Sequence, residues 1–157
     1  MNILIVEDQP DKKENIELFL HNYYTCSSHL NISTVGSLRG ALRALLLCDT
    51  YDLILLDMSM PAFDTSSSYF DGSPESYAGH ELLEQMKLRG ISVPVIVVTQ
   101  YSSFEGGAVT LEDLSQNFYE EYSKFYFGHV YYNSGNDNWK LDLEQKILGL
   151  KVQNEPS

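Results

Sequence analysis

The chain is poor in basic residues. Ten lysines and arginines stand against 22 aspartates and glutamates, giving a net charge of −12 over 157 residues. A nucleic-acid-binding module needs a basic patch to meet phosphates, so that class is set aside. Cysteine is scarce as well. Cys26 and Cys48 lie far apart and form no Cys-x-x-Cys pair, which predicts two reduced core thiols of a cytosolic protein rather than a disulfide. No long apolar run opens the chain, because the stretch Ile3 to Val6 in MNILIVEDQP meets charge at Glu7. That is too short for a signal peptide or a membrane helix. A cytoplasmic protein without nucleic-acid or membrane partners is expected. The phosphate loop GxxxxGK[ST] and the dinucleotide fingerprint GxGxxG are both missing, which removes the main support for a nucleotide hydrolase or a dehydrogenase. The histidines, His21, His29, His80 and His129, show no metal-ligand spacing.

What is present is an alternation of buried strands and amphipathic helices. ILIVED (3–8), DLILLD (52–57) and VPVIVVT (93–99) are continuous apolar runs, the pattern of strands covered on both faces. LNISTV (30–35) and GHVYYN (128–133) complete five strands. After Pro10, which suits a first helical turn, Ile16, Phe19, Leu20 and Tyr23 recur at helical spacing. Ser37 caps a second helix carrying Leu38, Ala41, Leu42 and Leu45. A third spans 79–90 and closes at Gly90. Thr110 and Asp113 form a capping-box pattern that opens a fourth, running to about Lys124. A fifth covers 139–150, and the tail from Lys151 is expected to fray. Strand and helix alternating five times predict a single α/β domain over residues 1–150, a doubly wound parallel sheet with helices on both faces.

In such a sheet, ligands gather at the carboxyl ends of the strands where the winding direction reverses. Glu7 and Asp8 end the first strand and Asp57 ends the third. In the order 2-1-3-4-5 these strands are neighbours, so three carboxylates converge. Unpaired, they would repel one another and shift their pKa values. A hard divalent cation relieves this, and Mg²⁺ favours a few carboxylates, waters and a phosphate oxygen. Thr99, ending the next strand, adds a hydroxyl donor. The set suits phosphoryl transfer onto Asp57. Dehalogenase-type hydrolases also use an aspartate nucleophile but want a second aspartate two residues on, where this chain has Ser59.

These residues resemble those of the receiver domain of two-component response regulators, over roughly residues 2–150. The acidic pair falls on Glu7 and Asp8, the phosphoacceptor on Asp57, the following proline on Pro61, and the Thr/Ser after the fourth strand on Thr99. The resemblance implies a flavodoxin-like fold and a Mg²⁺ site of Asp8 and Asp57, with Glu7 acting mostly through water and the backbone carbonyl of Ser59 as a further ligand. It also implies a switch through Thr99 and an aromatic near Val130 or Tyr131. The chain would then be a single-domain response regulator. It would be phosphorylated by a histidine kinase or phosphotransfer protein and would act by binding a downstream protein or a second copy. It would be no enzyme beyond its own phosphorylation and dephosphorylation. The alternative is a degenerate receiver that binds partners independently of phosphorylation.

The chain departs from that pattern in three places. The expected lysine at the end of the fifth strand is replaced by Asn133 or Ser134, and no Lys or Arg occurs between Lys124 and Lys140. Lys12 and Lys13 are read as a solvated first helical turn rather than as substitutes. Gln100 either narrows access to Asp57 or points outward. The loop after Pro61 carries an insertion, about 62–78, with Phe63, Tyr69, Phe70 and Tyr77 but no basic residue. Finally, the segment from Thr99 to Asn133 is long and rich in aromatics (Phe118, Tyr119, Tyr122, Phe125, Tyr126, Phe127, Tyr131 and Tyr132). About half are expected in the core, and the rest on a partner surface between the fourth and fifth helices.

Overall fold

The computed structural model describes residues 1–25, 29–48, 50–59, 78–104, 107 and 109–154, with the backbone alone at 103, 104 and 151–154. Cys26, Pro61 and the insertion up to Tyr77, with Phe63, Tyr69 and Phe70, lie outside the described residues. Along the chain run β1 (Asn2–Val6), α1 (Pro10–Tyr23), β2 (Asn31–Val35), α2 (Leu38–Leu47), β3 (Leu53–Leu56), α3 (Ala78–Arg89) and β4 (Val95–Thr99). There follow β5 (Ser103–Phe104), β6 (Val109–Thr110), α4 (Leu111–Glu121), β7 (Tyr126–Tyr131) and α5 (Asn138–Asn154). The main sheet has the order β2-β1-β3-β4-β7, all parallel. This is the expected 2-1-3-4-5 arrangement, with β7 as the fifth strand.

Alternation along the buried strands sorts their side chains onto two faces. Leu4, Val6, Ile54, Leu56, Val95 and Val97 face a core completed by α2, α3 and α4, through Leu45, Leu82, Met86, Leu114 and Phe118. Ile3, Ile5, Leu53, Leu55, Ile96 and Val98 face the other core, closed by Ile16 and Leu20 of α1 and by Leu143 and Ile147 of α5. Each fully buried Leu, Ile or Val contributes about 1.5–3 kcal/mol, so β1, β3 and β4 form a rigid platform.

The helix starts follow local chemistry. Pro10 occupies the first turn of α1. Ser37 Oγ accepts the Gly40 amide at 3.0 Å, and Thr110 Oγ1 accepts that of Asp113 at 3.1 Å. Gly90 follows α3 with φ +69°. Gly79 has a different reason. A Cβ there would stand 2.8 Å from Met58 Cα and 2.9 Å from the Asp57 carbonyl oxygen. Only glycine lets α3 approach the end of β3 so closely.

Four expectations change. The long connection after β4 contains a short antiparallel ribbon, Ser103 pairing with Thr110 and Phe104 with Val109. The last strand starts and ends two residues earlier than the sequence pattern indicates, because the buried Phe125 and Tyr126 enter the core before the turn signals begin. Helix α5 continues through the expected fray point to Asn154; residues 155–157 lie outside the described residues. Cys48 is not a core thiol. It caps the C-terminus of α2, half-buried and free, with Sγ 3.0 Å from Thr50 Oγ1.

Candidate functional site

The register sets Val6 beside Leu56, so the next residue on each strand, Glu7 and Asp57, leaves the sheet side by side. Their backbones remain tied to it: Glu7 N–H donates to Val35 O and Asp57 N–H to Val6 O, both at 2.9 Å. Both side chains are buried, each 3% exposed, while Asp8, one residue on, faces solvent. One ligand atom from each of the three carboxylates lies within 4.8 Å of the other two. Ser59 is buried at the same end of β3, and Thr99 is fully buried at the end of β4, its hydroxyl accepting from Tyr101 N–H at 3.3 Å. Gln100 is half-buried.

Lys12 corrects the sequence reading. It is not a solvated residue; it is 2% exposed. Its Nζ lies 2.5 Å from Glu7 Oε2 and 3.3 Å from Asp57 Oδ1, and donates to the Val98 carbonyl at 2.7 Å. Those two carboxylate oxygens are buried and accept no directional hydrogen bond among the described residues, so the ammonium charge is what holds them. The signal was present in the sequence. Lys12 precedes Ile16 and Leu20 by whole helical steps of four, and all three are the buried stripe of α1. A lysine stem at that place lies along apolar surface and delivers its charge to the sheet end.

The strand-five end holds no cation. Asn133 and Ser134 are exposed, and Asn133 Oδ1 accepts the Gly135 amide at 2.8 Å. The residue that continues β7 into the site is the buried Tyr132. Its N–H donates to Thr99 O at 2.8 Å, its hydroxyl accepts from Asn15 Nδ2 at 2.8 Å, and its ring centroid lies 5.6 Å from Lys12 Nζ. Tyr131 is 48% exposed and pairs in register with Thr99. Sequence reasoning missed the two-residue shift of the strand.

Burial raises the carboxyl pKa of Asp57, and the Lys12 ammonium opposes it. Burial also raises Glu7, with repulsion from Asp57 adding and Lys12 opposing. Asp8, only partly withdrawn from water, is raised by that desolvation and by the neighbouring Glu7. The donor set is all oxygen and acidic, which fits a hard divalent cation. Two of these carboxylates, Glu7 and Asp57, also face the Lys12 ammonium. Glu7, Asp8 and Asp57 would hold Mg²⁺, in competition with the ammonium.

Toward the other end of the sheet, β7 carries a bulge: two steps on β4, Val95 to Val97, match three on β7, Tyr126 to His129. The extra residue allows Gly128, at φ +115°, to sit within it. Tyr126 and His129, three apart, therefore both face α4. Ser115 Oγ lies 2.5 Å from Tyr126 Oη and 2.8 Å from His129 Nδ1. The aromatics divide much as expected. Phe118, Tyr122, Phe125, Tyr126 and Tyr132 are buried and Phe127 is half-buried, whereas Tyr119 and Tyr131 are about half exposed.

Burial and Lys146 lower the His129 pKa from 6.5, against the attraction of Glu112 on α4 and Asp142 on α5. The unfolded chain therefore takes up this proton first as pH falls. Stability is full above the unfolded value and is lost as pH drops through 6.5 toward the folded value. The raised carboxylates act in the opposite sense at lower pH. The melting temperature of the wild type, minus that of His129→Asn, is expected to fall between about pH 7.5 and pH 5.5. Thermal melts of the two proteins across that range check it, the carboxylate contribution being common to both.

A second gathering of ligand atoms, His80 and Glu84 on α3 with Glu121 on α4, also lies within 4.8 Å. Tyr122 Oη donates to Glu84 Oε2 at 2.6 Å and lies 3.1 Å from His80 Nε2. With its proton committed to Glu84, the hydroxyl accepts from His80, so Nε2 is the protonated nitrogen. The group is a hydrogen-bonded clasp between α3 and α4.

Comparison with known proteins agrees with this fold. A model of the response regulator receiver domain matches residues 3–113. The Detocs response regulatory protein DtcB of Enterobacter cloacae (strain JD6301) is 29% identical over 153 residues, 96% of this chain and 100% of that one. The response regulator protein TrrA from Thermotoga maritima, solved in complex with Mg(2+)-BeF, is 21% identical with a TM-score of 0.54, over 95% of this chain and 97% of that chain. A response regulator receiver protein from Pseudoalteromonas atlantica has a TM-score of 0.63 at 14% identity, over 99% and 100% of the two chains. No helix among the described residues is long and apolar enough to cross a membrane.

Proposed function

The chain belongs to the response regulator receiver domain family, and on that premise we propose that Asp57 accepts a phosphoryl group in a Mg²⁺-dependent reaction. The observation that carries this is the buried Asp57 carboxylate, fixed at the end of β3 beside Glu7 and within ligand reach of Asp8. A rigid strand holds the nucleophile in place before the donor arrives. One Asp57 oxygen bonds to phosphorus as the phosphorus–nitrogen bond of a phosphohistidine breaks. The electron pair leaves with the imidazole, which then takes a proton. A bound Mg²⁺ would neutralise charge on the transferred oxygens; TrrA, a neighbour in fold, was solved with both Mg²⁺ and a beryllofluoride group. Thr99 supplies a hydroxyl from the adjacent strand. The donor would be a histidine kinase or phosphotransfer protein. The readout would be binding of a downstream protein, or of a second copy through the face between α4 and α5. That face bears the exposed Tyr119 and Tyr131.

The ion pair of Asp57 with Lys12 favours a second reading, a receiver that binds partners without being phosphorylated. Incubation with a small phosphodonor separates the two. One phosphoryl group per chain is expected by intact mass with Mg²⁺ present, and none after chelation. No transfer from acetyl phosphate, phosphoramidate or a histidine kinase would leave the binding module as the function.

A further inference from the structure

The family pattern expects a lysine from the end of the fifth strand, and this chain has Tyr132 there, without charge. We propose that Lys12, from the first turn of α1, is the residue that contacts the phosphoryl group on Asp57, and that before transfer it competes with the divalent cation for Glu7 and Asp57. This rests on the reading of Asp57 as the acceptor.

The geometry of the ammonium carries the inference. An ammonium has three donors. One is firmly placed, on the Val98 carbonyl at 2.7 Å, and the ammonium charge stands 2.5 Å from Glu7 and 3.3 Å from Asp57 Oδ1 without a directional hydrogen bond to either. The longest contact is the one directed at the nucleophile. Once Asp57 becomes an acyl phosphate its carboxylate charge is lost, and the phosphoryl group brings close to two negative charges. The ammonium then meets phosphoryl oxygens while the Val98 carbonyl keeps Nζ in position. Tyr132 completes the placement. Its ring stands 5.6 Å from Nζ, against Trp139 at 5.0 Å, so the space the strand-end cation would use is filled by an aromatic wall that also favours a cation beside it. Before transfer the same ammonium stands against Glu7 and Asp57, two of the three carboxylates that would hold the metal. Removing it should therefore have opposite effects on the two ligands. A purely structural lysine would weaken both together or neither.

The experiment measures two affinities by calorimetry, for Mg²⁺ alone and for beryllofluoride in saturating Mg²⁺, in wild type, Lys12→Met and Lys12→Arg. Lys12→Met is expected to bind Mg²⁺ about tenfold more tightly, and to bind beryllofluoride at least about tenfold more weakly, the loss of one charge-assisted hydrogen bond. Lys12→Arg, which keeps the charge, should recover part of the beryllofluoride affinity. Circular dichroism checks folding, and Lys12→Gln carries the same test if the methionine variant does not fold. Wild-type binding of beryllofluoride that Lys12→Met and Lys12→Gln leave unchanged would overturn the role of Lys12 alone. Mg²⁺ affinity that is unchanged or weaker in these variants would overturn the competition. A wild type that binds no beryllofluoride in saturating Mg²⁺ would overturn both this inference and the acceptor role of Asp57.

Discussion

Asp57→Asn is expected to lose all phosphoryl label while remaining folded. An amide nitrogen and oxygen cannot replace the carboxylate as nucleophile. Glu7 is the nearest rival, but its Oε1 accepts Gln9 N–H at 2.9 Å and its Oε2 is held by Lys12. Asp8 faces solvent. The fold should tolerate the change. Burial raises the Asp57 pKa, so the folded state disfavours the ionised form that asparagine removes. The melting temperature at neutral pH is therefore expected to hold or to rise. Intact mass after exposure to a phosphodonor, with hydroxylamine sensitivity to identify an acyl phosphate, reads the first part, and thermal melts read the second. Label that persists on Asp57→Asn would move the acceptor to another residue.

Gly79→Ala is expected to be the most destabilising small substitution near the site, by about 3 kcal/mol, or a fall in melting temperature of roughly 6–12 °C. The new methyl group would stand 2.8 Å from Met58 Cα and 2.9 Å from both the Asp57 carbonyl oxygen and Met58 Sδ. The thioether can move, but the backbone of β3 cannot without disturbing its pairing to β1 and β4. The Gly79 amide also donates to Met58 O at 3.2 Å, so α3 would have to shift away from the end of the acceptor strand. The comparison variant is Gly149→Ala on α5, where a Cβ meets nothing within 4 Å. There the helix should gain up to about 1 kcal/mol. Denaturant or thermal unfolding of the pair decides the matter: equal effects at the two positions would mean that α3 has room the geometry denies it.

Much of this architecture was legible because it depends on local pattern. The apolar runs of β1, β3 and β4 are unbroken, and strands buried on both faces can hardly read otherwise. Ser37, Thr110 and Pro10 mark helix starts by hydrogen-bonding and φ preferences that act within one turn. The convergence of Glu7, Asp8 and Asp57 followed from strand order alone. The last strand was harder. Its bulge at Gly128 breaks the alternation, so that Tyr126 and His129 share a face three residues apart, and no period-two reading anticipates that.

The sequence by itself determined the five-stranded parallel sheet, the acidic crevice and the residue types available to it, because strand burial and carboxylate placement are encoded in runs of a few residues. Only the tertiary structure decided which polar side chain enters that crevice. Lys12 and Asn133 are both polar residues next to a strand end, and sequence distance to Asp57 ranks neither. The difference lies in where α1 packs. Ile16 and Leu20 seat the helix against the sheet, and that fixed face carries Lys12 Nζ to within 3.3 Å of Asp57. Meanwhile the shifted end of β7 leaves Asn133 in solvent and turns Tyr132 inward. A charge acts over a few ångströms in space rather than a few residues along a chain, so its partner is settled by packing.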